Sequence, residues 1–131
     1  MTDPDRLARW IELAQKASEN AYCPYSHFAV GAVVVTASGD EFAGCNVENA
    51  SFGLTICAER NAIFQMVAKS RQPVRYVVIY TPTDTPTAPC GACRQVIHEF
   101  GPDAIIVSVC KGTDRSEWRM DQLLPAAFGP V

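Results

Sequence analysis

Three cysteines and one glutamate have the spacing of a metal centre. Cys57 precedes Glu59 by two residues, and Cys90 and Cys93 follow directly after Pro89. Cysteine sulfurs at such spacing are common zinc ligands, and three protein ligands leave one of the four tetrahedral positions open. Water can be activated at an open position, whereas structural zinc sites fill all four positions with side chains. The pattern predicts a catalytic zinc held by Cys57, Cys90 and Cys93.

Glu59 allows two interpretations. Its distance of two residues from Cys57 lets the carboxylate face the open position without occupying it, where it would carry protons. A carboxylate in the first turn of a helix also commonly serves only the helix dipole. The neighbouring cysteine and the Pro-Cys-x-x-Cys run favour the catalytic role.

Five segments of the chain, in this order, resemble the zinc-dependent cytidine deaminases of the small homotetrameric type: residues 24–32, 44–50, 57–60, 89–95 and 123–129. Zinc deaminases share a His-x-Glu and a Pro-Cys-x-x-Cys signature. Cysteine in place of the histidine, at Cys57, resembles the branch that acts on free nucleosides. The resemblance implies one Zn²⁺ per subunit and hydrolysis of cytidine, and of 2′-deoxycytidine, to uridine or deoxyuridine plus ammonia, in pyrimidine salvage.

The resemblance also implies roles around the metal. Glu59 would take a proton from the attacking water, pass it to N3 of the pyrimidine and later protonate the departing amine. Arg60 would hydrogen-bond the ligating sulfurs and withdraw their charge. The backbone N–H of Ala58 would meet O2 of the base.

The remaining substrate contacts are implied in the same way, and each has a plainer alternative. Phe28 would stack on the base, or is simply a core residue at a strand start. Asn46 and Glu48 would hold the ribose hydroxyls, or are turn and strand-end residues. Phe128 would cover the base in a neighbouring subunit of a homotetramer with shared active sites, or docks on its own subunit.

Two other functions fit parts of the pattern. One is a related deaminase of another aminated heterocycle, such as the blasticidin type, although Asn46 and Glu48 argue for a ribose. The other is a structural or binding module in which Cys45 or Cys110 completes a closed four-cysteine zinc site. Three sulfurs plus an oxygen on the metal would indicate catalysis, and four sulfurs a structural role.

Composition limits the partners. The 131 residues carry a net charge of −3 with 11 scattered basic residues, which disfavours nucleic-acid binding. No stretch approaches the roughly 20 apolar residues that span a bilayer. The first residues lack the pattern of a secretory signal, so we expect a cytoplasmic protein whose six cysteines are ligands or buried thiols rather than disulfides.

The length predicts a single domain over residues 1–131. Hydrophobic periodicity predicts a helix from Pro4 that ends before Pro24, a hairpin and two further helices with their strands. The later elements are expected at 28–37, 41–47, 57–69, 74–81, 90–100, 104–110, an edge strand at 117–120 and a helical turn at 120–124. This order predicts an α/β fold with a mixed central sheet and helices on both faces. The resemblance specifies a three-layer α-β-α sandwich.

Overall fold

A computed structural model describes residues 3–129 as one mixed sheet between helices. The strand order is β2-β1-β3-β4-β5, with β3 and β4 parallel and the other neighbours antiparallel. The elements are α1 (Pro4–Ser18), β1 (Gly31–Thr36), β2 (Glu41–Cys45), a 3-10 turn (Phe52–Leu54), α2 (Ala58–Ser70), β3 (Val74–Tyr80), α3 (Gly91–Phe100), β4 (Ile105–Val109), β5 (Arg115–Arg119) and α4 (Met120–Leu123).

The two faces of the sheet carry separate apolar clusters, because successive side chains of a strand point to opposite faces. Val33 and Val35 of β1 pack with Trp10 and Ala14 of α1. On the other face, Ala32 and Val34 belong to the cluster that includes Ala62, Ile63 and Met66 of α2 and Ile97 of α3. The predicted three-layer α-β-α sandwich is confirmed.

Two glycines let the helices lie close to the sheet. A Cβ atom at Gly31 would lie 1.9 Å from the carbonyl oxygen of Ala14 in α1. One at Gly44 would lie 2.5 Å from the backbone nitrogen of Ala62 in α2. Backbone atoms cannot yield to such contacts as a flexible side chain can, so the positions of α1 and α2 depend on these glycines.

The predicted bounds hold to within one residue except at four ends. Two of these are in the hairpin, where β1 begins at Gly31 rather than Phe28 and β2 ends at Cys45 rather than Val47. Asp3 caps α1, accepting a 2.9 Å hydrogen bond from the Asp5 N–H, while Thr2, the other candidate cap, lies outside the described residues. The helix ends at Ser18, earlier than expected, because the next three N–H groups bond three residues back in tight turns. The edge strand β5 begins at Arg115 rather than Glu117, through its pairing with β4.

The six cysteines are free thiols. Within residues 3–129, no helix combines the length and the apolar character needed to cross a membrane.

Candidate functional site

Two helices begin side by side at the predicted metal ligands. Cys57 is the N-cap of α2 and Cys90 is the N-cap of α3. Their sulfurs lie 3.7 Å apart, and the Cys93 N–H donates a 3.4 Å hydrogen bond to the Cys90 Sγ. All three sulfurs lie within 4.8 Å of one another. Residues separated by more than thirty positions in the sequence thus form one cluster.

The sulfur cluster fits a tetrahedral zinc ion. With Zn–S bonds of about 2.3 Å, two sulfurs on a tetrahedron lie roughly 3.8 Å apart. The observed 3.7 Å between the Cys57 and Cys90 sulfurs matches this distance. Three thiol donors are a ligand set that zinc prefers, and they leave a fourth position free of protein.

Cys45 and Cys110, the candidates for a fourth zinc ligand, lie outside this cluster. In the described part of the chain the cluster consists of Cys57, Cys90 and Cys93. Cys110 follows β4, and its thiol donates to the carbonyl oxygens of Asp84 and Asp114 at 3.6 and 3.5 Å. Cys45 ends β2, and its burial raises the pKa of the thiol, an effect that the neighbouring Cys23 increases. The arrangement does not support a structural four-cysteine site.

The pKa values of the Cys57 and Cys93 thiols are shifted in opposite directions. The hydrogen bond from Cys93 lowers the pKa of Cys57 to about 5, although burial opposes this, and a hydrogen bond from Arg60 contributes. The pKa of Cys93 is raised because its thiol donates to Cys57 and because it is buried. The Arg60 Nη2 lies 3.3 Å from the Cys57 Sγ and 3.5 Å from the Thr55 carbonyl oxygen. Of these two thiols, Cys57 therefore gives up its proton first, and each binds a metal as a thiolate.

Glu59 is buried beside the sulfurs. It lies in the first turn of α2 with only 4% of its surface exposed. Burial raises the pKa of its carboxyl group to about 7, and the Cys57 charge adds to the rise. A group with a pKa near the working pH both accepts and releases protons readily. Ala58, at the first position of α2, is fully buried, and its backbone N–H has no intrahelical acceptor.

Backbone pairing joins the metal cluster to the predicted ribose residues. Val47, between Asn46 and Glu48, forms isolated bridges with Tyr22 and with Ile56. The Val47 N–H donates to the Ile56 carbonyl and the Ile56 N–H donates back, both at 3.0 Å. Ile56 directly precedes Cys57, so residues 46–48 lie next to the start of α2.

Asn46 and Glu48 both hold the loop that carries Phe28. The Asn46 Oδ1 accepts from the Val30 N–H, and its Nδ2 donates to the Phe28 carbonyl, each at 2.8 Å. The Glu48 Oε1 accepts from the N–H groups of Tyr25 and Ser26, each at 3.1 Å. The Ser26 hydroxyl donates to the Glu48 Oε2. Phe28 is 39% exposed, so its ring is not a simple core residue.

Phe128 extends into solvent from a tail that is fixed to α3. Its side chain is 85% exposed, while its carbonyl accepts a 3.2 Å hydrogen bond from the Gln95 Nε2. Arg94 donates to the Pro89 carbonyl at 2.8 Å and to the Leu123 carbonyl at 3.0 Å. Arg94 thus links the loop before Cys90 to the start of the tail. Sequence reasoning missed this link, although Arg94 directly follows a predicted ligand.

Known proteins resemble this chain over nearly its whole length. The model of the cytidine and deoxycytidylate deaminase zinc-binding region matches residues 4–109. A cytidine deaminase from Sporosarcina psychrophila is 42% identical over 124 residues, 93% of this chain and 90% of that protein. A probable cytidine deaminase from Dictyostelium discoideum is also 42% identical, over 95% of this chain and 84% of that protein. The crystal structure of a cytidine deaminase from Burkholderia pseudomallei has a TM-score of 0.89 and 45% identity, covering 98% of this chain and 100% of that one.

We predict that zinc content distinguishes the two sets of cysteines. Alanine at Cys57, Cys90 or Cys93 should remove a sulfur from the cluster and abolish stoichiometric zinc, measured by atomic emission on purified protein.

Alanine at Cys23, Cys45 or Cys110 is the matched control, because the same change outside the cluster should leave one zinc per chain. Full zinc in Cys90→Ala, or its loss in Cys110→Ala, would contradict the ligand assignment.

Proposed function

The chain belongs to the family of cytidine and deoxycytidylate deaminases, and from this premise we propose that it hydrolyses cytidine and 2′-deoxycytidine to uridine or deoxyuridine and ammonia. Pyrimidine salvage is the general role of such a reaction. The observation that carries the proposal is the three-sulfur cluster with a buried carboxyl group beside it. A binding module has no need of a buried acid next to an incomplete ligand set.

The residues of the cluster would hold zinc, and Glu59 would move the protons. Bound by Cys57, Cys90 and Cys93, zinc would supply the Lewis acid that lets water act as a nucleophile near neutral pH. Glu59 takes one proton from the attacking water and passes it to N3 of the pyrimidine. It then takes the second proton from the hydroxyl group formed at C4 and gives it to the amine, so that the C4–N bond breaks and ammonia leaves. Its raised pKa suits both directions of transfer.

Arg60 and the helix N-termini offset the negative charge of the sulfurs. Three thiolates around a divalent ion leave a net charge of −1, which works against deprotonation of water. The Arg60 guanidinium, 3.3 Å from the Cys57 Sγ, withdraws part of that charge. The free N–H groups at the start of α2 and α3 act in the same direction. The backbone N–H of Ala58 is assigned to O2 of the base.

The substrate is a nucleoside whose base stacks on Phe28. Asn46 and Glu48 are assigned to the ribose hydroxyls, and both side chains border the same loop as Phe28. A glutamate is ordinarily a carboxylate at neutral pH, and the hydrogen bond from Ser26 is the main cause that lowers the pKa of Glu48 further. A carboxylate at the ribose end attracts hydroxyl groups and repels a phosphate.

We assign the active protein to a homotetramer in which Phe128 of one subunit covers the base in the next. The exposed ring of Phe128 supports this assignment. Other large apolar side chains are exposed on the same chain, among them Phe52, Leu54 and Phe64. An assembly of subunits would remove such side chains from water.

The cytoplasm is the proposed compartment. Thiols in reducing surroundings stay free and available to a metal, as all six cysteines are here.

The substrate assignment predicts release of ammonia from cytidine, measured with a coupled assay beside cytosine and CMP. Cytidine should have the highest kcat/KM, because cytosine lacks the ribose and CMP places a phosphate near Glu48. Turnover of CMP at the rate of cytidine would instead indicate a nucleotide deaminase. Turnover of an aminated heterocycle but not of cytidine would indicate the blasticidin type.

Glu59→Gln should lower kcat by about 10²–10⁴, since an amide of the same shape cannot transfer the proton. Zinc content and melting temperature are the controls and should stay near those of the wild type, because the sulfurs are untouched. Activity within a few-fold of the wild type at full zinc occupancy would disprove the proton-transfer role.

Mixed oligomers test whether Phe128 acts across subunits. Glu59→Gln and Phe128→Ala chains, each impaired alone, are unfolded, mixed and refolded together with zinc. Some sites then combine an intact Glu59 from one chain with an intact Phe128 from another, so activity should exceed the sum of the two separate preparations. No gain in oligomers whose mixed composition is verified by mass spectrometry would assign Phe128 to its own subunit.

A further inference from the structure

The loop that carries Phe28 is organised around one serine. The Ser26 hydroxyl donates to the Glu48 Oε2 and accepts a 3.1 Å hydrogen bond from the Phe28 N–H. It therefore touches the carboxylate assigned to the ribose and the backbone of the residue assigned to the base. Its backbone N–H adds a second contact, to the other oxygen of Glu48.

The backbone of this loop has a conformation that directs these donors to one side. His27 has a φ of +58°, in the left-handed region that non-glycine residues seldom adopt. Its N–H donates to the Cys23 carbonyl at 2.9 Å and so closes the turn. The N–H groups of Tyr25 and Ser26 then converge on the Glu48 Oε1. Strained backbone of this kind persists where the surroundings over-determine it.

Glu48 has little acceptor capacity left. A carboxylate offers roughly four lone-pair positions, and three donors already occupy its oxygens here. Two donors are backbone N–H groups that no side-chain substitution removes. The third is the Ser26 hydroxyl, the one side-chain donor among these three contacts, and within the described residues it is the donor to the Oε2. Without it, the carboxylate can rotate about its last bond while remaining attached through the Oε1.

We propose that Ser26 is a positioning residue that orients the Glu48 carboxylate toward a sugar hydroxyl and thereby gives the site its preference for nucleosides over their 2′,3′-dideoxy analogues. This inference rests on the function proposed above. It concerns the ribose end of the substrate alone, because among residues 3–129 the hydrogen bonds of the Ser26 and Glu48 side chains involve neither Glu59 nor the sulfurs. The charge of Glu48 is preserved whether or not the hydroxyl is present, so the role of Ser26 is orientation.

The test compares Ser26→Ala with the wild type on cytidine and on 2′,3′-dideoxycytidine, which lacks both ribose hydroxyls. Loss of a hydrogen bond to a charged group should lower kcat/KM for cytidine by about tenfold, mainly through KM. The kcat/KM for dideoxycytidine should change less than about twofold, because this substrate has no hydroxyl for Glu48 to bind. A general defect of the loop would lower both values equally, and that result would overturn the proposal.

Three further variants sharpen the test. Ser26→Thr keeps the hydroxyl and should restore most of the preference for cytidine. Ser116→Ala, the same deletion made on the edge strand β5, should change neither substrate. Ser26→Ala combined with Glu48→Ala should be no worse on cytidine than Glu48→Ala alone, whereas additive losses would show that Ser26 acts independently of Glu48.

Zinc content and melting temperature show that each variant is folded. Should Ser26→Ala not fold, Glu48→Asp replaces it, since the shorter side chain withdraws the carboxylate from Ser26 and should give the same substrate pattern. Equal kcat/KM values of the wild type for cytidine and dideoxycytidine would overturn the inference but would be consistent with the proposed deaminase activity. A wild type that releases no ammonia from cytidine would instead disprove the proposed function.

Discussion

The meeting of two helix N-termini at Cys57 and Cys90 is the constraint on which the rest of the site depends. Strands β2 and β3 are each antiparallel to β1, so they run in the same direction and end at the same edge of the sheet. Helix α2 follows β2, and helix α3 follows β3 as the crossover to the parallel strand β4. Both helices therefore begin at that edge, where open α/β sheets commonly bind their ligands. Their first residues bring the sulfurs to within 3.7 Å across two elements that are distant in sequence.

The chemistry of the cluster follows from how its charge is distributed. Sulfur ligands bind zinc strongly, but their negative charge makes water on the metal less acidic than imidazole ligands would. Arg60 and two sets of free helix N–H groups reduce this charge without entering the coordination sphere. Burial has a separate effect on the neighbouring Glu59, because it raises the pKa of the carboxyl group. In the proposed mechanism, the less negative metal centre makes water a better proton donor, and burial makes the Glu59 carboxylate a better acceptor near neutral pH.

Much of the fold could be predicted from the sequence because its elements carry strong local signals. The apolar strands β3 and β4 and the helices that start at the cysteine motifs were placed to within one or two residues. The apolar spacing in the sequence continues beyond the first helix, but the helix ends at Ser18 because residues 19–21 form tight turns. The first residues of β5 are polar and carry no strand pattern, so the start of this strand depends on its pairing with β4.

Only the parts of the site that belong to a sequence motif can be predicted from the sequence. The three cysteines, Glu59 and Arg60 lie together as their spacing and the family resemblance predicted. The roles of Phe28, Asn46, Glu48, Ala58 and Phe128 stay predictions. The link from Ser26 to Glu48 could not be found in advance, because it joins residues 22 positions apart through the pairing of Val47 with Tyr22. Neither residue carries a local pattern that indicates its partner.

Zinc K-edge X-ray absorption on the purified, zinc-loaded protein tests the central claim most directly. Three sulfur ligands at about 2.3 Å and one oxygen ligand at about 2.0 Å would show an open, catalytic coordination sphere. The cluster of Cys57, Cys90 and Cys93 predicts this result. Four sulfurs around the metal would show a closed structural site and would contradict it.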